Sequence, residues 1–299
     1  MKNILIIGCG LIGSSLLRTI SQNKVTKKIF VYEKSKTNIS KIKKLKLPCT
    51  IINDLKQVVP NIELIIICTP LSEYREIILK LNKYLLPKVI ITDVGSSKEK
   101  SLDVIKKTLK KGISWTSSHP IAGSEVSGPE YGKKDLFLNK WCILIKEKNT
   151  NKKHLSILNK FWKKIGSRIS IMNSKKHDMV FSMTSHLPHL IAYNLVKTAT
   201  DFERQQKYEL IKFSAGGLRD FSRIAASNEI MWRDIFFNNQ KNISKAIDLF
   251  IKNLRTFKKD IQLKNNKSLI KKLIDTKKVR KKIIKLKQDI NTPDFGRKN

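Results

Sequence analysis

Cysteine is scarce in this 299-residue chain: Cys9, Cys49, Cys68 and Cys142, with no CxxC pair among them. That spacing argues against a disulfide-stapled secreted domain and against a zinc finger. Three of the four lie in or beside apolar, strand-like runs, as small buried hydrophobes do, and the pattern fits a reduced cytoplasm. Long apolar runs are missing too. No stretch approaches the ~20 residues that a membrane helix needs. The opening "MKNILIIGCG" is too short and too broken by glycine for a signal peptide, so its apolar run reads as a strand. Acidic residues are few, 24 against 61 lysines and arginines, for a net charge of +37. A charge of that size raises nucleic-acid binding as a function. Arginine is nevertheless rare beside lysine, no basic stretch is interleaved with aromatics, and no helix-turn-helix or zinc-finger spacing occurs. Residues 258–299 hold fifteen Lys/Arg against four Asp, which places +11 there and spreads the other +26 along the chain. A diffuse field of this kind draws in a small anion, and nucleic acid is not the expected partner.

What is present is 40% hydrophobic content, enough for one large or two medium cored domains. The first half alternates strand-like and helix-like stretches. Apolar runs occur at 3–8, 28–33, 63–70, 89–95, 114–120, 141–146 and 167–172, and helical patterns at 11–23, 73–84, 97–111 and 151–165. Most of the apolar runs are continuous rather than alternating, which suits strands covered on both faces. The expected fold is therefore α/β, with a doubly wound, mostly parallel sheet over residues 1–172. Helical patterns alone follow, at 175–203, 206–215, 219–226, 228–258 and 267–288, so residues 173–290 are expected to form an all-α domain and 291–299 a polar tail.

"IIGCGLIGSSL" places Gly8, Gly10 and Gly13 as a GxGxxG directly after a strand and at the opening of a helix that begins Leu11, Ile12. Gly8 permits the tight turn, Gly10 lets the backbone approach a pyrophosphate, and Gly13 lets helix and strand pack closely, with the helix N-terminus facing the phosphates. Glu33 follows twenty positions after Gly13, at the end of the second strand. An acid there binds the ribose hydroxyls of NAD and repels the 2′-phosphate of NADP, although Lys34 and Lys36 offer that phosphate a partner. NAD is the expected cofactor. Thr69 and Pro70 in "CTP", and Asp93 and Ser96 in "DVGSSK", lie beyond strand ends where the nicotinamide would sit; capping of the helix at 97–111 is the competing role for Asp93 and Ser96.

His119 stands alone in "SHPIAGSE", after another strand. "SMTSHLPHLIAYNL" sets His186 and His189 three apart, and "SAGGLRDFSRIAASNEIMWRDIF" carries Arg219, Arg223 and Arg233 where arginine is otherwise rare. Arginine offers a bidentate fork for a carboxylate. The two histidines at helical spacing lack a third ligand nearby, so no metal is expected. His186 reads as structural, and His154 and His177 as ordinary surface residues. Arg219 and Arg233 are read as solvated or paired with Asp220 and Asp234, and Trp232 also fits a core position.

The ordered set GxGLIGSSL, DVGSSK, SHPIAGSE, SHLPH, GGLRDFSRIA and MWRDI resembles the prephenate dehydrogenase family, the cyclohexadienyl dehydrogenases of tyrosine biosynthesis, from Gly8 to about Ile261. The resemblance implies a Rossmann-type domain followed by a helical dimerisation domain, a homodimer, and an active site between the two. It implies NAD-dependent oxidative decarboxylation of prephenate to 4-hydroxyphenylpyruvate, with arogenate, or both substrates, as the alternative. It assigns His119 and Ser96 to the substrate's ring hydroxyl. It assigns His189 and Arg223 to substrate binding, with Glu125 near the pocket mouth and Trp232 bordering the site. Glu33 stands where many members carry aspartate. The chain opens on its first strand and leaves about forty residues after the helical region, so neither a fused chorismate mutase nor a regulatory ACT domain of ~70 residues is expected.

Overall fold

The computed structural model describes residues 1–286. The expected tail at 291–299 lies outside them. Five strands, β1 (Asn3–Ile7), β2 (Lys28–Tyr32), β3 (Thr50–Ile52), β4 (Leu64–Ile67) and β5 (Ile90–Asp93), form a sheet in the order β3-β2-β1-β4-β5. Every pairing in it is parallel, with Ile4 opposite both Ile29 and Leu64, and Leu64 opposite Ile90. The continuous apolar runs are explained by what covers each face. From β1, Ile4 and Ile6 pack with Leu16, Leu17 and Ile20 of α1 (Leu11–Gln22) and with Leu158, Phe161 and Trp162 of α5 (Lys152–Lys164). Leu5 and Ile7 face the other way, toward Tyr74, Ile77, Ile78 and Leu81 of α3 (Tyr74–Asn82) and Leu102 and Ile105 of α4 (Glu99–Thr108). Each such side chain contributes about 1.5–3 kcal/mol by leaving water. An alternating strand would bury only half as many.

A second sheet of three strands follows: β6 (Ser118–Pro120), β7 (Trp141–Ile145) and β8 (Arg168–Met172), with β6 antiparallel and β8 parallel to β7. A single bridge from Ile91 to Trp115 ties the lead-in of β6 to β5. Two elements were not read from the sequence, the short edge strand β3 and α2 (Lys36–Lys44), which is lysine-rich and buries only Ile42.

After β8 the described chain is helical. The pattern at 175–203 is two helices, α6 (Ser174–Phe181) and α7 (Leu187–Gln206), joined by a π turn at Ser182–His186. Pro188 has no N–H for the carbonyl of Thr184, and a wide turn relieves the clash. Residues 206–215 were expected to be helical; only a 3-10 turn at Ile211–Phe213 forms there, before α8 (Gly216–Ile224). The pattern at 228–258 breaks between α9 (Glu229–Asn238) and α10 (Gln240–Gln262), and α11 (Asn266–Lys285) follows. Asparagine side chains cap several of these helices, Asn173 on Lys176 N–H and Asn228 on Met231 N–H among them, each worth about 1 kcal/mol.

The chain divides into two compact units, one of Met1–Ile243 and one from Ser244 onward. The first holds both sheets and the helices through α9, so the change of character at residue 172 is one of secondary structure and not of compactness. Within the second, Asp260 accepts from Ser268 Oγ and Lys272 Nζ, both at 2.7 Å, and closes α11 against α10.

Candidate active site

The turn from β1 into α1 is built by its glycines. Gly8 has φ +85°, and a Cβ there would meet Thr69 Cγ2 at 2.8 Å. A Cβ at Gly13 would stand 2.1 Å from the Gly8 carbonyl oxygen, so strand and helix touch backbone to backbone. A Cβ at Gly10 would enter open space. No side chain caps α1 at Gly10, and no acid lies in its first turn, which leaves the positive end at Leu11 and Ile12 available to an anion. Glu33 accepts from Cys9 N–H with one oxygen and from Ser35 N–H with the other, both at 2.8 Å. Each oxygen keeps a lone pair for a ribose hydroxyl. Lys34 is drawn away to Glu73 at 2.5 Å. Pro70 is exposed at the carboxyl edge of the sheet, and beside it the hydroxyl oxygen of Thr69 is buried without a partner among the described residues. An open cradle, a bare helix end, a held carboxylate and an orphaned hydroxyl together fit a dinucleotide.

Asp93 does not serve this site as expected. It is fully buried, and its carboxylate is taken by protein donors: Lys98 Nζ at 2.5 Å, Tyr74 Oη and Gly95 N–H at 3.0 Å, and Trp115 Nε1 at 3.1 Å. It holds the charge of Lys98, which is itself fully buried and also donates to the Ser118 carbonyl at 2.8 Å. A buried lysine persists only with such partners. Nor do Asp93 or Ser96 cap α4. That cap is Asp178 of α6, whose carboxylate accepts from Lys98 N–H at 2.8 Å, Glu99 N–H at 2.9 Å and Ser97 Oγ at 3.3 Å. Ser96 is half-buried in the loop so pinned, and its hydroxyl makes no hydrogen bond among the described residues.

His119 sits on β6, next to the carbonyl that Lys98 grips. Its ring is buried, edge-on to Phe181 at 4.9 Å, and its Nδ1 lies 2.8 Å from Nε2 of His177. His177 in turn places Nδ1 2.8 Å from Asp178 Oδ1. Burial, followed by the charges of His177, Lys98 and His186, holds the pKa of His119 well below its usual range, so the ring is a neutral base at pH 7. The reading of His177 as a surface residue is corrected, since its side chain is fully buried in this chain of contacts. His154 is buried as well, on the apolar face of α5. The sequence signal for His177 was available in the "HD" of "KKHDMV", a histidine adjoining an acid.

His186, the last residue of the π turn, bonds the side chain of Asn239 at 3.0 Å, and burial pushes its pKa down to about 4. His189, in the first turn of α7, donates Nδ1–H to the Ser185 carbonyl at 2.9 Å and stacks on Trp232 of α9, ring centroids 3.8 Å apart. That leaves Nε2 of His189 for a ligand. Arg223, near the end of α8, pairs with Glu125 at 3.1 Å and is close enough for its charge to depress the pKa of His189, after burial. Arg233 pairs with Asp234, which also accepts from Ser72 N–H at 2.9 Å and ties α9 to the loop after β4. Of the residues expected in the site, His119 and Ser96 flank the end of the sheet, while His189, Trp232, Arg223 and Glu125 group together on the helical side. His186 joins the groups: its charge bears on His119, and that of His189 bears on it. Among the described residues no group of three or more His, Cys, Asp or Glu could hold a metal ion, and no helix is long and apolar enough to cross a membrane.

Known proteins resemble this chain along most of its length. The family model for the prephenate dehydrogenase nucleotide-binding domain matches residues 16–171, and that for the prephenate dehydrogenase dimerization domain matches residues 173–290. The chain is 31% identical over 279 residues to a cyclohexadienyl dehydrogenase of Zymomonas mobilis, covering 93% of this chain and 95% of that one. It is 31% identical over 270 residues to a prephenate dehydrogenase of Bacillus subtilis, covering 90% and 72%. Among solved structures, prephenate dehydrogenase from A. aeolicus in complex with hydroxyphenyl propionate and NAD+ matches with a TM-score of 0.88 at 34% identity, covering 95% of this chain and 98% of that one.

Proposed function

The chain belongs to the prephenate dehydrogenase family, and on that premise we propose that it catalyses the NAD-dependent oxidative decarboxylation of prephenate to 4-hydroxyphenylpyruvate and CO2. The observation that carries the reading is His119, a buried neutral imidazole beside the cofactor edge, with a half-buried free hydroxyl at Ser96 and a helical wall bearing His189, Trp232 and Arg223. NAD+, when bound on the cradle of Gly8, Gly10 and Gly13 with its ribose on Glu33, supplies the hydride acceptor. His119 takes the proton of the ring hydroxyl as hydride leaves the carbon that bears it. The ring carboxylate then departs as CO2, its bonding electrons completing the aromatic ring. His119 returns the proton to the ring oxygen, so the enzyme ends as it began. Ser96 orients the hydroxyl, Arg223 and His189 hold the substrate's carboxylate side, and Trp232 keeps the ring of His189 in place. Glu125, already on Arg223, sets how that guanidinium is presented.

Glu33, and the engagement of Lys34 by Glu73, support NAD over NADP. Arogenate shares the cyclohexadienyl ring and its hydroxyl and is the second substrate to test. The protein is proposed to act as a cytoplasmic homodimer, its functional domains dividing near residue 172. Free cysteines and the exposed apolar residues of the second unit, among them Leu254, Ile261 and Leu273, support that reading. The diffuse positive charge steers an anionic substrate and does not make nucleic acid a partner. The test is NADH formation, followed by absorbance, with prephenate and with arogenate, each with NAD and NADP. Prephenate with NAD is expected to be fastest. His119→Asn should lower turnover by about 100- to 10,000-fold with NAD affinity nearly unchanged; wild-type turnover in that variant would refute the role of His119.

A further inference from the structure

His119 is a useful base only in one of its two neutral forms. Either ring nitrogen can carry the proton, and the other alone can accept one. The contacts behind His119 decide which. Asp178 is buried, which by itself would raise its pKa, but the bonds from His177 and from the backbone N–H groups of Glu99 and Lys98 outweigh this and keep it ionised. An ionised carboxylate only accepts, so Nδ1 of His177, 2.8 Å away, carries a hydrogen. Burial keeps His177 neutral, so its Nε2 is a lone pair. That lone pair lies 2.8 Å from Nδ1 of His119, which must therefore be N–H. Reversing either ring would set two lone pairs, or a lone pair and a carboxylate, against each other at hydrogen-bond distance. Among neutral rings a single pattern satisfies both contacts.

We propose that His177 and Asp178 are positioning residues that fix His119 as its Nδ1–H tautomer, leaving Nε2 as the base for the substrate's ring hydroxyl. The proposal rests on the reading of His119 as the proton acceptor. When Nε2 takes the proton, the ring becomes imidazolium, and its Nδ1–H bond to His177 strengthens because the donor is now charged. The charges that bear on His119 directly are those of His177, Lys98 and His186, which oppose its protonation, while Asp178 and Asp93 act on His177 behind it. Asp93 is bound to Lys98, so Asp178 acting through His177 is the carboxylate left to respond. The same carboxylate caps α4 and pins the loop that carries Ser96. One side chain thereby sets the tautomer of the base and the position of the serine that shares its substrate.

Two measurements test this on the full chain. In the 15N-labelled wild type at pH 7, two-bond 1H–15N correlations, with His119 assigned by its loss in His119→Asn, should report hydrogen on Nδ1 of His119 and of His177. Hydrogen on Nε2 of His119, whether from a reversed pair or from a His177 imidazolium, would overturn the proposal without recourse to any variant. In kinetics, His177→Leu should lower kcat with prephenate about 100-fold or more while KM for prephenate and NAD stays within about threefold. His177→Gln, whose amide can accept from His119 and donate to Asp178, should recover part of the loss. Equal impairment of the Gln and Leu variants, or unimpaired turnover in the Leu variant, would overturn it. A wild type inactive on both prephenate and arogenate would instead defeat the functional reading, and the tautomer measurement separates the two failures.

Discussion

Acid should destabilise this protein before its carboxylates titrate, and His186 gives the effect a size. Its pKa is near 6.5 in an unfolded chain and about 4 in the fold, because burial penalises the charged ring. A histidine whose folded value is depressed binds more protons when unfolded, so stability is full above pH 6.5 and falls as the pH drops toward 4. For these two values the loss at pH 5 relative to pH 7.5 is about 2 kcal/mol, and it approaches about 3 kcal/mol near pH 4. The other four histidines, His119, His154, His177 and His189, are shifted in the same direction by burial and add to the slope. Urea unfolding followed by circular dichroism at several pH values between 7.5 and 5 measures the sum. His186→Phe isolates one contribution: Asn239 keeps its bond to the Asp178 carbonyl at 2.7 Å, so the substitution shifts the whole curve without orphaning that amide. The variant should lose about 2 kcal/mol less than wild type over this interval. The acid-induced rise in net charge is common to both proteins and cancels in the comparison. Parallel curves for the two proteins would refute the argument.

Other perturbations have equally definite expectations. Gly13→Ala drives a methyl into the Gly8 carbonyl and should cost about 3 kcal/mol, read as a lower melting temperature together with weaker NAD binding; a wild-type melt would mean that the close approach is relaxed in solution. Glu33→Gln removes the charge that repels a 2′-phosphate, and the ratio of kcat/KM for NADP to that for NAD should rise at least about tenfold. An unchanged ratio would move cofactor choice to other residues. Arg223→Ala should raise KM for prephenate about 10- to 100-fold, as expected for a lost charged hydrogen bond, with KM for NAD unmoved; an unchanged prephenate KM would count against the carboxylate contact.

The parallel sheet was legible because its strands are continuous runs of Ile, Leu and Val, a pattern with few other uses. The glycines and Glu33 were legible because each answers to local backbone geometry. The edge strand β3 was not: three residues carry too little pattern to separate from a loop. The break at Asn239 was hidden because the helical periodicity continues through it, while the amide of Asn239 bonds Asp178, His186 and Asn242. Asp93 misled for a related reason. Strand ends in such sheets face ligands, but this carboxylate faces inward to Lys98, a residue that composition alone would send to the surface. His177 was misjudged because the ring that meets its Nε2 lies 58 residues upstream, where no local pattern points to it.

The cap of α4 arrives late. Lys98 and Glu99 leave the ribosome 80 and 79 residues ahead of the carboxylate that accepts their N–H groups. Until that acid emerges, the helix behind the fifth strand begins with two amides whose acceptor is missing. A gene cut at the apparent junction near residue 172 would encode a nucleotide-binding half permanently in that condition, complete in its strands but lacking the stopper that the next helix supplies.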